Sequence, residues 1–265
     1  GAQDPRQVAQ NISKDAAVEY AEPKYLHYLE AIPDDPDYST YQSAYYNRIQ
    51  APAAWDYVQG GSGSVIVAVV DGGTDIDHPD LAANIWINMD EINGNSLDDD
   101  GNGFTDDIHG WNFATNSPDP SGLASTPQSA IHGSHVAGII SAVSNNGTGV
   151  AGVSWNITLL PVNTANPEVD NSIPYGYDGI LYAAYNGARI INCSWGRLGG
   201  ASVYEQEVIA AVTQLGVQVV AAAGNNNRSE NHYPSSYNHV FSVAATDSDD
   251  NKASFSNYGS TVDVS

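Results

Sequence analysis

Apolar and polar positions follow two patterns along the chain. Continuous apolar runs of the length typical of buried strands occur at residues 63–71, 157–163, 189–195, 217–225 and 239–246. Segments with helical spacing lie among them, at residues 132–144, 178–188 and 204–216. Strands that alternate with helices predict a parallel sheet covered on both faces. We therefore expect a three-layer, doubly wound α/β fold with a mostly parallel sheet.

Two long stretches show neither pattern. Residues 1–40 are polar and charged, and the Pro- and Asp-rich segment at 31–38 is predicted to be an extended linker. Residues 82–130 are rich in Asn, Asp, Gly, Ser and Pro, a composition that predicts loops. The main domain is therefore expected over residues 38–265.

Composition narrows the range of partners. The chain has 8 Lys+Arg against 31 Asp+Glu, a net charge of −23, which disfavours nucleic acids and anionic membranes and is compatible with bound cations. No run of about 18 apolar residues occurs, so no membrane span is predicted. Cys193 is the single cysteine, which excludes an intrachain disulfide framework. A secreted domain without disulfides needs another source of stability, and metal ions are the obvious candidate.

Ligands of open parallel sheets bind beyond the carboxyl ends of the strands, so residues at those ends are candidates for chemistry. They are Asp71 after the first strand, Ser194, Trp195 and Gly196 after the third, and Gly224 and Asn225 after the fourth. His132 opens a helix nearby in the predicted topology. A carboxylate, an imidazole, a backbone segment and an amide then converge on one sheet edge, which is the outline of a hydrolytic site.

Two histidines lie three residues apart in the segment IHGSHVAGII at 131–140. At a helix start the dipole disfavours protonation, which suits His132 as a general base. His135 lies one turn further on, among small residues, and is predicted to pack in the core. A metal site is the other interpretation, but the zinc motif on a helix has a spacing of four and an intervening Glu.

Asp71 and Asn225 each have two interpretations. A strand-end aspartate forms a turn or caps a helix, or it holds a catalytic imidazole in its correct tautomer and stabilises the imidazolium. An asparagine after an Ala-Gly strand end forms a turn, or it donates its amide to a developing oxyanion.

Four segments in order, VAVVDGGTDIDHPDL, HGSHVAGIISA, INCSWG and VVAAAGNNN, resemble the subtilisin-like serine peptidases. The resemblance covers roughly residues 38–265. It implies that Asp71 orients His132, that His132 is the general base, and that Asn225 is the side-chain oxyanion donor. It also implies that residues 194–196 pair with the substrate backbone and form a wall of the primary specificity pocket.

The sequence departs from the family pattern at two places. Ser134 stands where the family usually has Thr, which keeps the hydroxyl. The family's nucleophile lies in a Gly-Thr-Ser segment, and no such segment occurs before Ser265. Residues 15–25, DAAVEYAEPKY, resemble the end of a family propeptide. We therefore expect residues 1–37 to be a propeptide remnant and linker, and residues 38–265 to be a catalytic domain that lacks its serine and is inactive alone.

An acidic segment, DDDGNGFTDD at 98–107, has the spacing of a calcium loop. Positions one, three, five, six and nine of such a loop correspond to Asp98, Asp100, Asn102, Gly103 and Asp106. Position twelve is His109 and not Glu, so the loop is not an EF-hand, and Asp107 is a substitute ligand. The alternative is a solvated acidic loop.

A second candidate calcium site joins Asp80 to the segment SNNGTGV at 144–150. In the subtilisins a loop at this place binds calcium through an Asn side chain and backbone carbonyls, and Asp80 and Asn146 match the side-chain positions. The alternative is a plain Gly/Asn turn.

Together these features predict a secreted, calcium-stabilised serine endopeptidase that acts as a monomer on polypeptide substrates, with its own propeptide as a partner. Two alternatives stay open. One is a catalytically dead pseudopeptidase that binds peptides in the same groove. The other is a metal-dependent hydrolase that uses Asp71, His132 and His135.

Overall fold

A parallel sheet forms the centre of the computed structural model, which describes residues 4–25, 31–61, 65–121, 127–169 and 171–265. The strands are β1 (Ile66–Asp71), β2 (Trp111–Asn112), β3 (Thr158–Asn163), β4 (Ile190–Cys193), β5 (Arg197–Leu198), β6 (Gln218–Ala222), β7 (His232–Tyr233) and β8 (Val240–Val243). The main sheet has the order β2-β3-β1-β4-β6-β8, and every neighbouring pair in it is parallel. Strands β5 and β7 form a separate antiparallel pair.

Six α-helices lie within the described residues: α1 (Pro5–Ile12), α2 (Ser43–Arg48), α3 (Ala51–Trp55), α4 (Pro127–Ser141), α5 (Gly176–Tyr185) and α6 (Val203–Gln214). A π-helical turn spans Tyr38–Gln42, and a 3-10 turn spans Ala82–Asn84. None of the described helices is both long and apolar enough to cross a membrane.

Alternation along β1 divides the core between the two faces of the sheet. Val70 belongs to a buried cluster with Ile180 of α5 and Ile209 of α6. Val69 points to the other face and packs in a cluster with Ala137 of α4. Helices therefore cover both faces, which confirms the predicted three-layer α/β fold with a mostly parallel sheet.

All five predicted strands are present, with bounds slightly inside the apolar runs. Strand β2 was not predicted, because two residues are too few to show a periodic pattern and they lie in the region predicted as loop. Helix α4 begins at Pro127, five positions before the predicted start. His132 consequently lies in the second turn of α4 and not at its first residue, which corrects the sequence expectation.

Residues 31–37, predicted as an extended linker, are bonded to the domain at several points. The carboxylate of Asp35 is buried, with 3% of its surface exposed, and accepts the backbone N–H groups of Asn145 and Asn146. The Asp37 N–H donates to the carbonyl of Gly149. Because these partners lie more than a hundred residues away in sequence, local composition could not reveal them.

An aromatic cluster fixes the next part of the chain to the domain. The rings of Tyr38, Tyr46, Trp55 and Trp155 lie with centroids between 5.2 and 6.1 Å apart in successive pairs. All four side chains are buried. Such aromatic contacts stabilise the fold by burying a large apolar area. Helices α2 and α3 are too short to be stable alone, so this tertiary packing is what stabilises them.

We expect Leu160→Ala to lower the free energy of unfolding by about 2–5 kcal/mol, because it leaves a cavity in a fully buried part of β3. The matched control is Leu215→Ala, whose side chain is 48% exposed and whose loss should change stability by about 0.5 kcal/mol or less. Urea unfolding of both variants measures the difference. Equal losses for the two would contradict the assigned core.

Candidate active site

The end of β1 brings a carboxylate against an imidazole. Asp71 is the last residue of β1 and is only 2% exposed. Its Oδ1 accepts a hydrogen bond from the backbone N–H of Gly72 at 2.7 Å and another from Nδ1–H of His132, also at 2.7 Å. The His132 side chain is 48% exposed, so its other nitrogen is open to a reacting group. This is the hydrogen-bonded geometry in which a carboxylate orients a general base.

Helix α4 can approach β1 this closely because Gly133 has no side chain. A Cβ at this position would lie 2.0 Å from the carbonyl oxygen of Gly73. The next residue, Ser134, accepts the backbone N–H of Asp75 on its hydroxyl oxygen at 2.9 Å. Gly133 and Ser134 therefore allow the helix to pack onto the loop that follows Asp71.

The pKa of His132 is raised from its ordinary value. The main cause is the hydrogen bond to Asp71, which outweighs the opposing effect of burial, and the carboxylate charge adds to it. The helix dipole, expected from the sequence to disfavour protonation, acts on the first turn of a helix, whereas His132 lies in the second turn of α4. The neighbouring carboxylate decides the direction of the shift.

A cavity of about 300 Å³ opens beside this pair. Its lining includes the predicted residues Asp71, His132, Ser194, Trp195, Gly196 and Asn225. Apart from His132, which lies on α4, these residues lie at or just beyond the carboxyl ends of β1, β4 and β6. They meet because these three strands are neighbours in the sheet. Asn225 is exposed and lines this cavity.

His135 does not join this group. It is exposed and lines a separate groove together with His78 and apolar side chains of α4, so the prediction that it packs in the core is wrong. The reason is that the side of α4 carrying Ile131, His135 and Ile139 is not covered by another described element. A metal centre built from Asp71, His132 and His135 consequently has no geometric support.

The indole of Trp195 is tucked against helix α5. Its Nε1–H donates to the carbonyl of Val70 at 2.8 Å, and its ring meets the ring of Tyr177 edge-on at 5.7 Å. A Cβ at Gly176 would lie 2.4 Å from the indole, so only glycine allows this placement. The sequence could not predict this rotamer, because all three partners come from other parts of the chain.

His232 is a cavity residue that the sequence analysis missed. It lies in β7, lines the same cavity as His132 and is only 8% exposed. Burial lowers its pKa, against a smaller opposing effect of a hydrogen bond to the backbone of Ala222. No pattern in the surrounding segment marks this residue, since its role depends on a two-stranded pairing that is too short to predict.

Two of the predicted ligands in the acidic loop, Asp98 and Asp106, accept backbone N–H groups. Asp98 accepts the backbone N–H groups of Asn102 and Gly103, and Asp106 accepts those of Gly94, Asn95 and Ser96. Both carboxylates therefore satisfy turns in the backbone. His109, at the twelfth position, contacts the carbonyl of Trp86 through its Nδ1 at 3.0 Å.

Another set of carboxylates converges at this place. Oxygens of Glu91, Asp100 and Asp107 all lie within 4.8 Å of one another. The amides of Asn88 and Asn102 each donate to both Asp100 and Asp107. Asp100 and Asn102 were predicted members, Asp107 was the predicted substitute, and Glu91 and Asn88 were missed because they precede the motif.

This cluster fits a hard cation. Glu91 and Asp107 are buried, and no lysine or arginine in the described part of the chain forms an ion pair with any of the three carboxylates. Burial raises the pKa of Asp107, although hydrogen bonds from Tyr182, Asn88 and Asn102 oppose the shift. Carboxylate oxygens are ligands that calcium prefers, and these carboxylates have no lysine or arginine partner among the described residues that would neutralise them instead.

The second predicted loop does bring its two residues together. Asp80 is buried, and its Oδ1 accepts the amide of Asn146 at 2.9 Å. Its Oδ2 accepts the backbone N–H of Val150 at 2.9 Å. Asp35 contacts the same loop, because its carboxylate accepts the backbone N–H groups of Asn145 and Asn146. The sequence did not indicate this contact, since Asp35 lies in the segment predicted as a linker.

The profile of the subtilase family matches residues 62–265. The chain is 39% identical over 233 residues to thermitase from Thermoactinomyces vulgaris, which covers 88% of this chain and 72% of thermitase. It is 38% identical over 257 residues to a thermophilic serine proteinase from Bacillus sp. (strain AK1), which covers 97% of this chain and 56% of that protein. An extracellular basic protease from Dichelobacter nodosus is 36% identical over 281 residues, which covers 96% of this chain and 44% of that protein.

A solved structure is similar as well. A protease from Pseudoalteromonas arctica superposes with a TM-score of 0.68 at 34% sequence identity, covering 88% of this chain and 71% of that one. The chain spans about half the length of two of these relatives, the proteins from Bacillus and Dichelobacter.

The fold and the site together define a class: a parallel α/β domain with a buried carboxylate–imidazole pair at the carboxyl edge of its sheet. Within that class, the chain belongs to the subtilase family.

We expect Asp71→Asn to lower the pKa of His132, because the imidazolium loses its anionic partner. The control is Asp75→Asn, since Asp75 is exposed and its Oδ1 accepts the backbone N–H of Asp77, two residues further along the same loop. An NMR titration of the His132 ring measures both. An unchanged His132 pKa in Asp71→Asn would contradict the assigned cause.

The same pair gives a sign for stability against pH. The folded-state pKa of His132 is raised, so the stabilisation from its protonated form is fully present below the unfolded value near 6.5 and is lost as pH rises through the folded value. The stability difference between the wild type and Asp71→Asn that comes from His132 should therefore shrink with rising pH over this window.

Proposed function

We propose that the protein carrying this domain is a serine endopeptidase. The observation that carries the proposal is the 2.7 Å hydrogen bond between His132 and the buried Asp71, at the mouth of a cavity that Asn225 also lines. In this assignment Asp71 orients the imidazole and stabilises its charged form, His132 is the general base, and Asn225 is an oxyanion donor.

The reaction follows from these positions. Nε2 of His132 accepts the proton of an attacking serine hydroxyl as that oxygen bonds to the scissile carbonyl carbon. The carbonyl oxygen gains negative charge and receives a hydrogen bond from the amide of Asn225. His132 then gives the proton to the leaving amine, while Asp71 stays ionised. The resulting acyl-enzyme is hydrolysed by water through the same proton transfers in reverse order.

The attacking serine we place outside residues 1–265. Ser194 is the serine among the described residues that line the cavity, and its hydroxyl oxygen accepts the amide of Asn192 at 2.9 Å. It follows β4 in the segment that we assign to substrate binding, so we assign it to binding the substrate backbone and not to nucleophilic attack. The family resemblance predicts the nucleophile in a later Gly-Thr-Ser segment.

Polypeptides are the proposed substrates. We place the substrate backbone along residues 194–196 and the side chain before the scissile bond in the adjoining cavity, with Trp195 on one wall. An extended peptide that pairs with a strand end gains backbone hydrogen bonds, while the pocket selects one side chain. The name of the Dichelobacter relative supports a secreted location for this protein too. A monomeric state and a propeptide partner remain part of the proposal.

Calcium is the proposed structural ion. Glu91, Asp100 and Asp107 would hold one ion, and Asp80, Asn146 and Asp35 would hold a second. A bound cation supplies charge neutralisation for carboxylates that have no lysine or arginine partner. Tyr182 of α5 donates to Oδ2 of Asp107 at 2.6 Å, so the first site is joined directly to the helix on which Trp195 packs.

The hydrolysis test compares variants of the protein as its gene encodes it. We expect His132→Ala to abolish cleavage of a peptide p-nitroanilide, with a loss on the order of a millionfold in kcat, the size measured for the corresponding change in a subtilisin. Asn225→Ala should lose about 100- to 1000-fold, again as measured in a subtilisin. Asn238→Ala, an exposed asparagine outside the cavity, is the control.

A serine-directed fluorophosphonate separates the alternatives. It should label the wild type and stop cleavage. Cleavage that survives the label but stops with a chelator would indicate a metallohydrolase instead. A folded wild type that binds peptides without cleaving them or taking the label would indicate a pseudopeptidase.

Calcium should raise the thermal midpoint, because an ion that binds the folded state stabilises it by mass action. A free calcium concentration of a hundred times the dissociation constant adds about 2.7 kcal/mol to the free energy of unfolding. Asp100→Asn and Asp80→Asn should each remove one equivalent of calcium in isothermal titration calorimetry. Asp90→Asn, an exposed neighbour outside the carboxylate cluster, is the control. Unchanged stoichiometry in both variants would contradict the proposed sites.

A further inference from the structure

One carboxylate outside the proposed machinery gathers three donors on a single oxygen. Oε2 of Glu205 accepts Tyr237 Oη–H at 2.6 Å, Arg197 Nη2–H at 2.9 Å and Tyr177 Oη–H at 3.0 Å. Glu205 lies in the first turn of α6, and its side chain is 16% exposed. The three donors come from α5, from β5 and from the loop after β7, so a single acceptor joins four separate parts of the chain.

Two of these donors lead directly to the wall of the cavity. Tyr177 holds its ring edge-on against the indole of Trp195 at 5.7 Å. Arg197 follows Gly196 in the chain and begins β5, where it pairs with Tyr233. Glu205 therefore fixes the 194–196 segment from two sides, through the Tyr177 ring that packs on Trp195 and through Arg197, the residue that follows the segment.

The charge state of this network is set by its own hydrogen bonds. Burial opposes ionisation of Glu205, but the bonds from Tyr237, Arg197 and Tyr177 outweigh it and lower the pKa of the carboxyl. The pKa of Arg197 is raised, chiefly by its bond to Glu205, and burial raises the pKa of Tyr237 to about 12. At neutral pH the acceptor is thus an anion with a cation and two neutral phenols.

A half-buried ion pair contributes little net stability, whereas several directed bonds on one oxygen fix the orientation of every donor. Neither Glu205 nor Tyr237 lines the cavity, and neither takes part in the proposed proton transfers. The consistent effect of the network is on the position of the wall.

We propose that Glu205 is a positioning residue for substrate binding: through Tyr177 and Arg197 it holds Trp195 and the 194–196 wall in the geometry that receives the peptide. This inference rests on the proposed peptidase function and adds a determinant of its substrate selection. Loss of Glu205 frees the wall while leaving Asp71, His132 and Asn225 in place, so it weakens peptide binding and leaves the chemical step intact.

The experiment compares Glu205→Ala, Glu205→Gln and Tyr177→Phe in the protein as its gene encodes it. Glu205→Ala should raise KM for a peptide p-nitroanilide about 5- to 20-fold with kcat changed less than twofold, the size expected for the loss of one or two hydrogen bonds. Glu205→Gln keeps an acceptor oxygen and should restore part of the loss. Tyr177→Phe keeps the ring on Trp195 and should lie between the wild type and Glu205→Ala. Glu207→Gln, an exposed glutamate on the same helix, is the matched control and should match the wild type.

A second measurement does not depend on catalysis. The indole N–H of Trp195 is bonded to Val70, so its NMR signal reports the wall directly. Glu205→Ala should shift this signal and speed its exchange with solvent, while Glu207→Gln should leave it unchanged. An unchanged indole signal, or a fall in kcat at constant KM, would overturn the proposal. Absence of cleavage in the wild type would contradict the proposed function alone, and the indole signal would still decide whether Glu205 positions Trp195.

Discussion

The site depends on one constraint, the burial of a carboxylate at the end of the strand β1. Asp71 is almost fully removed from water, and a charge in that position is costly unless donors surround it. The Gly72 N–H and the His132 ring both donate to Oδ1, whereas Oδ2 has no hydrogen-bond partner among the described residues. The bond from His132 requires α4 to lie against the loop after β1, which the absence of a side chain at Gly133 permits. The contact that compensates part of the buried charge, at Oδ1, is thus also the one that orients the imidazole.

The chain carries many carboxylates, and the structure uses them in different ways. Asp98, Asp106 and Glu91 accept backbone N–H groups and shape turns. Asp107 lies with Glu91 and Asp100 in a cluster without a cationic side chain, which suits a metal ion. Glu205 is the opposite case, because Arg197 and two phenols meet its oxygen directly. The partner available in three dimensions, and not the residue type, decides between these uses.

Helix α5 connects the carboxylate cluster to the cavity. Tyr182 contacts Asp107 on one side of the molecule, and Tyr177 contacts Glu205 on another. Gly176, in the same helix, makes room for Trp195. A displacement of α5 would consequently move side chains at the proposed metal site and at the wall of the cavity together. This shared helix gives a physical reason why an ion bound away from the cavity would stabilise the geometry of substrate binding.

The sequence by itself determined the fold class, five of the strands and the residues at their carboxyl ends. It could do so because buried parallel strands are continuous apolar runs, and because topology alone carries their ends to one edge. It also supplied the motifs that identify the subtilase family. Only the tertiary structure decided that α4 begins before His132, that His135 is exposed, and that Glu91 lies beside Asp100 and Asp107. It also revealed His232 in the cavity and the network around Glu205. These features depend on side chains that are distant in sequence and on rotamers chosen by packing, which a local pattern of apolar and polar residues does not encode.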